Sequence, residues 1–421
     1  MSCSSINTWS KQPLKNIATL ISSGGTPSRK HPEYYSNNGH LWVKSKELLD
    51  TSIYDTEEHI SDIGLKNSSA KYFPQNTILV AMYGANVGQL AILKQRATVN
   101  QAICGLVVDD SLANYRFIFY TLLSTRHKLA AKAYGAAQQN LNQDLIRNFE
   151  IPFPPLLIQR KIAAILSAYD DLIENNTRRI QILEEMAQAL YREWFVEFKF
   201  PGHDKVKMVE SELGMVPEGW KVVKVGDVSK VGRGSSPRPI IDQIYFEGGM
   251  IPWIKIADAT NSGKYLYKTK EKVNEYGASF SRLLPKGSLI IAASGTLGYT
   301  QLLGVKGCIH DGWLYLMDFE GVVKDYLYYL FSSKQAFFYN SAYGAAIQNI
   351  NTMILREMEI LLPPYSLQCE FAKIISDNDA LLQNIDHKNS YLRHTRDLLL
   401  PKLISGEVDV SSLDITTGET T

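Results

Sequence analysis

Along residues 157–198 apolar side chains return every seven positions on adjoining rows, with no Pro or Gly before Pro201-Gly202. One row holds Ile162, Tyr169, Asn176, Leu183 and Leu190; the next holds Leu166, Ile173, Ile180, Ala187 and Trp194, with Ile165 and Leu172 between them. This spacing predicts a helix with a continuous apolar seam, which needs a partner helix of similar length to cover it. At ~1.5 Å rise per residue it would run roughly 60 Å. Residues 366–400 carry a second seam: Phe371, Ile374, Ile375, Asn378, Leu381, Leu382, Ile385, Leu392 and Leu399. Pro401 is expected to stop that helix, because its ring cannot continue the hydrogen-bond ladder. Antiparallel pairing as a coiled coil buries both seams. Asn176 and Asn378, read as matching positions, are expected to fix its register.

Between these helices the pattern shortens to β-like runs broken by Gly and Asn. They lie at residues 77–82 and 90–93 in the first half and 288–293 and 299–303 in the second. Helical stretches follow at 115–133 and 324–341. The correspondence is a repeat. Tyr134-Gly-Ala-Ala-Gln-Gln-Asn-Leu-Asn142 returns as Tyr343-Gly-Ala-Ala-Ile-Gln-Asn-Ile-Asn351, identical at seven of nine positions. The same register joins Pro154-Pro155 to Pro363-Pro364, Gln159 to Gln368, Ile165 to Ile374 and Asp170 to Asp379. Upstream, Trp9 pairs with Trp220, Trp42-Val43-Lys44 with Trp253-Ile254-Lys255, and Gly84 with Gly295. The expected fold is therefore mixed α/β (α+β), with two similar globular domains, two long antiparallel helices and an internal pseudo-two-fold. The expected bounds are domain 1–155, long helix 156–200, polar linker 201–216, domain 217–364, long helix 365–405 and flexible tail 406–421.

A chain of 421 residues exceeds one ordinary core, and 45% hydrophobic with 21% charged residues is globular rather than disordered. No apolar run reaches membrane-spanning length, and the first residues lack the build of a secretory signal. Cys3, Cys104, Cys308 and Cys369 are scattered, which predicts neither disulfides nor a zinc site and fits a reducing cytoplasm. The net charge of +1 is low for a protein that grips DNA by itself, so any such grip would be shared with partners.

Catalytic parts are hard to find. There is no Gly-x4-Gly-Lys-Ser/Thr phosphate loop. Phe153-Pro154-Pro155-Leu156 and Leu362-Pro363-Pro364-Tyr365 resemble the Pro-Pro-aromatic motif of amino-methyltransferases but lack its leading amide or carboxylate. Glu197-Phe198-Lys199 has no nuclease Pro-Asp partner, and His387 and His394 lie too far apart to share a metal. No catalytic or metal-binding residue is expected. What remains are polar and basic loops at equivalent places in both halves. Arg29, Lys30, Lys44 and Lys46 against Glu33 give residues 22–46 a local charge of +3. Tyr83, Asn86, Gln89, Asn100, Gln101 and Gln138 complete the first-half candidates. Arg233, Arg238, Lys255, Ser294, Thr296, Gln301, His310 and Asp311 are those of the second. Lys and Arg suit phosphates, whereas Asn, Gln, Asp and Arg suit base edges in the major groove. Asn142 and Asn351 are expected as helix N-caps. Residues shared by the two halves are better scaffold candidates, and those that differ are better reading candidates.

The duplicated Trp and Gly/Ser-Thr/Ser-Pro opening, the Gly84 and Gly295 loops, the Tyr-Gly-Ala-Ala run and the Pro-Pro and Gln before each long helix resemble specificity subunits of type I restriction-modification systems. The likeness spans essentially the whole chain. It implies two target-recognition domains that each read half of a bipartite, asymmetric double-stranded DNA site, with the long helices spacing them and docking modification subunits. It further implies two methyltransferase subunits carrying S-adenosylmethionine, and restriction subunits using ATP and Mg2+, with no catalysis in this chain. The competing readings are a self-contained DNA-modifying enzyme and a non-DNA interaction scaffold.

Overall fold

In the computed structural model, which describes residues 9–134, 140–259, 262–343 and 349–416, the β-like runs become strands with two buried faces. The chain divides into two compact units, Met1–Asn175 with Asn389–Thr421, and Asn176–Lys388. Unit 1 has a five-stranded sheet in the order Ala18–Ser23, Ile103–Val108, Ile78–Ala81, Leu90–Leu93, Thr51–Ile53; only the last pairing is parallel. Alternation within it is strict. Ile78, Val80, Leu90 and Ile92 join a core shared with the helices, whereas Leu79, Ala81, Ala91 and Leu93 face a second core with Val43, Phe73 and Val99. Val43, Phe73 and Val99 belong to another five-stranded sheet, Tyr35–Ser36, His59–Ile60, His40–Val43, Ala97–Val99, Tyr72–Phe73. Each buried Val, Leu or Ile contributes about 1.5–3 kcal/mol relative to exposure, and a one-residue slip would send each row into the core shaped for the other.

Unit 2 repeats this plan. Its main sheet runs Lys230–Arg233, Trp313–Met317, Leu289–Ala292, Thr300–Leu303, Tyr265–Leu266, again with a parallel last pairing. Leu289 and Ile291 face the helical core, and Ile290 and Ala292 face the second sheet. That second sheet has four strands: Glu271–Val273, Ile251–Ile254, Gly307–Ile309, Arg282–Leu284. Each unit also closes with a two-stranded ladder just before its long helix, Lys11–Pro13 with Glu150–Pro152 and Lys221–Lys224 with Glu359–Leu362.

The long helices are α1, Leu156–Phe195, and α2, Tyr365–Ser405. Each starts at the same device. Gln159 is fully buried, accepts from the Asn114 N–H at 3.0 Å and donates to the Pro154 carbonyl at 2.9 Å. Gln368 does the same with the Val323 N–H and the Pro363 carbonyl, both at 2.8 Å. The duplicated glutamine thus satisfies backbone groups orphaned where strand turns into helix.

Within each unit the helices run antiparallel. In unit 1 Ile162, Ala163 and Leu166 share a core with Leu400, Leu403 and Ile404, Arg396 pairs with Asp170, and the Asn389 amide reaches the Ile173 carbonyl at 3.4 Å. In unit 2 Ala187, Tyr191, Trp194 and Phe195 pack with Phe371 and Ile375, and Asn378 donates to the Leu183 carbonyl at 2.8 Å. Of the expected seam, Ile162, Ile173, Asn176, Phe371 and Ile385 are buried, and Ile165, Tyr169, Ile180, Leu183, Leu190, Asn378, Leu392 and Leu399 are half-buried. Leu172, Ile374 and Leu381 lie outside it, 48%, 46% and 42% exposed. A true seam position needs facing side chains on the partner helix, and heptad counting alone does not say where the contact stripe drifts.

Three further expectations are corrected. Pro401 does not end α2, which continues to Ser405 because Leu403 and Ile404 are anchored in the core. The polar linker holds a β-hairpin, Met208–Ser211 with Gly214–Pro217. The tail is packed as far as residue 411: Val410 is buried, and Lys161 donates to the Ser411 carbonyl at 2.7 Å.

In both units a duplicated aspartate ties the domain to its helices. In unit 1 Tyr120 donates to Asp170 at 2.5 Å, and the cation opposite Asp170, Arg396, comes from α2. In unit 2 the cation comes from the domain. Lys264 Nζ lies 2.8 and 2.6 Å from the two oxygens of Asp379, with Tyr265 also donating at 2.9 Å. The faces of Tyr328 and Tyr329 stand 4.8 and 4.7 Å from Nζ. Burial leaves the Asp379 carboxyl above its ordinary value even with Lys264 against it.

Candidate nucleic-acid interface

The loops named from the sequence converge at one edge of each unit because the strands end there together. In unit 1 the Met82 N–H bonds the Ala102 carbonyl, the Asn100 N–H bonds the Val43 carbonyl, and Gly25 N–H bonds Val99. These contacts draw the loops after residues 23, 43, 82 and 99 to one place. Unit 2 repeats them as Ala293 N–H to Gly312, His310 N–H to Ile254, and Ser235 N–H to Ile309. Gly24 and Gly234 permit the close approach: a Cβ there would overlap the carbonyl of Val99 or His310. Behind each loop a tyrosine holds the Pro-containing turn, with Tyr35 donating to Pro27 at 2.7 Å and Tyr245 to Arg238 at 2.9 Å.

The basic residues are not free. Arg29 pairs with Glu58 at 2.6 Å, Lys46 with Glu57 at 2.6 Å, and Lys44 bridges both at 2.9 and 2.7 Å. Arg29 also lies over the Tyr35 and Trp42 rings, 4.3 and 5.3 Å from their centroids. Its hydrogen bond, and then that of Lys44, pulls the Glu58 carboxyl down to about 2. Three cations thus share two carboxylates, and the local charge of +3 does not survive folding. In unit 2 Lys255 pairs with Glu271 and lies over Trp253, 4.7 Å from its centroid. Glu271 stands across its sheet where Glu58 stands in unit 1. Arg238 pairs with Asp311, and Arg233 Nε donates to the Asp311 carbonyl at 2.8 Å. Lys30 is exposed.

Several polar candidates hold their own loops together. Asn100 accepts from the Ala102 N–H at 3.1 Å, and His310 Nδ1 accepts from the Gly312 N–H at 2.9 Å, the same turn in both units. Burial lowers the His310 imidazole below its usual value. Asn86 donates to the Ser45 carbonyl at 3.2 Å, and Gln89 and Ser294 are half-buried. Tyr83, Thr296 and Gln101 are exposed. Gln101 is anchored by the Thr26 hydroxyl as Asp311 is by the Ser236 hydroxyl. Gln301 does not belong here: it is fully buried on a central strand, and its amide donates to the Gly263 carbonyl at 2.9 Å. Gln138 lies outside the described residues. Asn142 and Asn351 cap short helices as expected, accepting from Leu145 and Ile354, each at 2.8 Å. What the sequence reading missed is the set of carboxylates, Glu57, Glu58 and Glu271, which sit in the sequence beyond the basic loops they neutralise.

An edge built from loops, with scaffold hydrogen bonds repeated and exposed polar groups varied, is the arrangement of a recognition surface. Comparison with known proteins gives the class. Residues 6–185 and 217–392 each match the type I restriction modification DNA specificity domain, and the chain belongs to that family, carrying the domain twice. Its role there is recognition, and it is a non-catalytic specificity subunit. Among relatives, the MjaIX specificity subunit of Methanocaldococcus jannaschii is 26% identical, over 96% of this chain and 94% of its own. The HindI specificity subunit of Haemophilus influenzae is 23% identical, over 72% and 83% respectively. The crystal structure of a type I restriction-modification S subunit from M. genitalium superposes with a TM-score of 0.57 at 18% identity, covering 94% of this chain and 96% of that one, which shows a shared fold. No helix among the described residues is long and apolar enough to cross a membrane.

Proposed function

We propose that each unit reads one half of a bipartite, asymmetric duplex site through the loop edge described above. The chain would thereby direct methyltransferase subunits to adenines in the two halves and restriction subunits to unmodified DNA. S-adenosylmethionine, ATP and Mg2+ would be held by those partners. The observation that carries this reading is the duplicated edge. Its backbone contacts recur almost bond for bond, while the exposed side chains on it differ, as two readers of different half-sites require. Internal neutralisation of the basic residues supports a shared grip on the phosphates, because the edge alone offers few uncompensated cations. The paired helices α1 and α2 would set the interval between half-sites.

The test is a domain exchange. Replacing residues 1–155 with the same region of a relative, in a cell carrying the complete system, is expected to change one half of the methylated motif and leave the other intact. Sequencing of methylated adenines reads this directly. A change in both halves, or in neither, would overturn the assignment of one half-site per unit.

A further inference from the structure

Resting on the DNA-reading function proposed above, a comparison of the two edges singles out one position in each. Within the shared frame most side chains keep their task. Lys44 and Lys255 both reach a carboxylate on the neighbouring strand, Asn100 and His310 both close a turn, and Thr26 and Ser236 both present a hydroxyl to the next residue over. The residue that receives that hydroxyl changes its chemistry. It is the amide Gln101 in unit 1 and the carboxylate Asp311 in unit 2.

The consequences differ. The Thr26 hydroxyl occupies one lone pair of Gln101 Oε1, which orients an exposed amide and leaves Nε2 and a second lone pair available. A fixed amide with one donor and one acceptor matches the N6 and N7 edge of adenine. Asp311 is instead consumed internally. Its Oδ1 takes Ser236 at 3.2 Å and His310 Nε2 at 3.0 Å, and its Oδ2 takes Arg238. Arg238 binds it through Nη2 alone and keeps a side chain 68% exposed. An arginine pinned at one nitrogen by a carboxylate, with the rest of its fork outward, matches the O6 and N7 acceptors of guanine.

We propose that the corner at Gln101 and Asp311 is a specificity-determining position of each unit, where Gln101 reads an adenine directly and Asp311 aims Arg238 at a guanine. Arg238 and Gln101 touch the bases, and Asp311 is a positioning residue.

The experiment uses the full chain with its modification subunits and a randomised duplex pool, comparing wild type with Arg238→Gln, Asp311→Asn and Gln101→Ala. Arg238→Gln is expected to abolish preference for one guanine in the half-site of unit 2, with discrimination at that base pair falling roughly ten- to a hundred-fold. Gln101→Ala is expected to flatten one adenine in the other half-site only. Asp311→Asn should reduce the same guanine preference as Arg238→Gln while non-specific duplex binding is kept or strengthened, because the released Arg238 becomes available to phosphate, which a purely structural defect would not do. Arg238 and Gln101 are exposed, and thermal unfolding of each variant checks that the fold is intact. If wild type enriches a bipartite motif and the variants enrich the same motif in full, or lose affinity evenly for all sequences, this assignment is overturned. If wild type itself enriches no motif, the DNA-reading function fails instead.

Discussion

Asp379→Asn leaves the buried Lys264 ammonium without the carboxylate that contacts it. The Lys264 side chain is 1% exposed and that of Asp379 10%, so solvent cannot replace the lost carboxylate. Breaking a buried ion pair from one side costs about 3–5 kcal/mol. In a unit of this size each kcal/mol moves the transition by ~2–4 °C, so unit 2 should melt roughly 6–20 °C lower. Scanning calorimetry of the full chain measures the shift. Asp170→Asn is the control: Arg396 is 18% exposed and also bonds Asp397 at 2.8 Å, so its loss should be nearer 1–2 kcal/mol. Lys264→Met with Asp379→Leu should recover to within ~2 kcal/mol of wild type, since replacing both partners removes the desolvation cost. A melt of Asp379→Asn within 2 °C of wild type would refute the reasoning.

Other predictions concern the edge and its supports. Glu58→Gln should strengthen non-specific duplex binding at low salt and steepen the log–log salt slope by about one, as a compensated cation becomes available to phosphate; filter binding between 50 and 200 mM salt measures it, and an unchanged slope would contradict it. Because Glu58 sits at about 2 when folded against an ordinary 4.5, its stabilising contribution is complete above pH 4.5 and lost as pH falls toward 2, so an acid titration should show it in wild type and not in Glu58→Gln. Gln368→Ala strands the Val323 N–H and the Pro363 carbonyl and should cost about 1–3 kcal/mol in a urea titration; a loss under 0.5 kcal/mol would mean water replaces the amide. Gln301→Ala should destabilise unit 2 without altering the enriched DNA motif, and a changed base preference would show that its burial has been misjudged.

The repeat made most of the architecture legible. Strands at 78–81 and 289–292 follow from apolar runs, and the caps at Asn142 and Asn351 from local chemistry within three residues. Heptad counting found both long helices but not the limits of their contact stripe. Leu172, Ile374 and Leu381 fit the count and face solvent, while Asn389, 1% exposed, was not on it. Pro401 misled because local propensity was overridden by Leu403 and Ile404 in the core. At the edge, charge read along the chain failed for a topological reason. The strand carrying His59 and Ile60 returns beside His40 and Leu41, which places Glu58 against Lys44 and cancels most of the charge counted along residues 22–46. Gln301 looked like a loop amide only because a glycine-rich loop precedes its strand.

The split of the long helices between the units also bears on the order in which the protein can be completed during synthesis. Unit 2 is one uninterrupted stretch, Asn176–Lys388, whereas unit 1 needs Asn389–Thr421 as well. Leu400, Leu403, Ile404 and Val410 fill the same core as Ile78, Leu106 and Phe117. The first domain to leave the ribosome is therefore the last to close. Until those residues arrive, it carries an open apolar face for as long as the second domain takes to be made, roughly ten seconds to a minute at ~5–20 residues per second. A nascent chain in that state is exposed to aggregation, and any truncation upstream of Leu400 makes the exposure permanent.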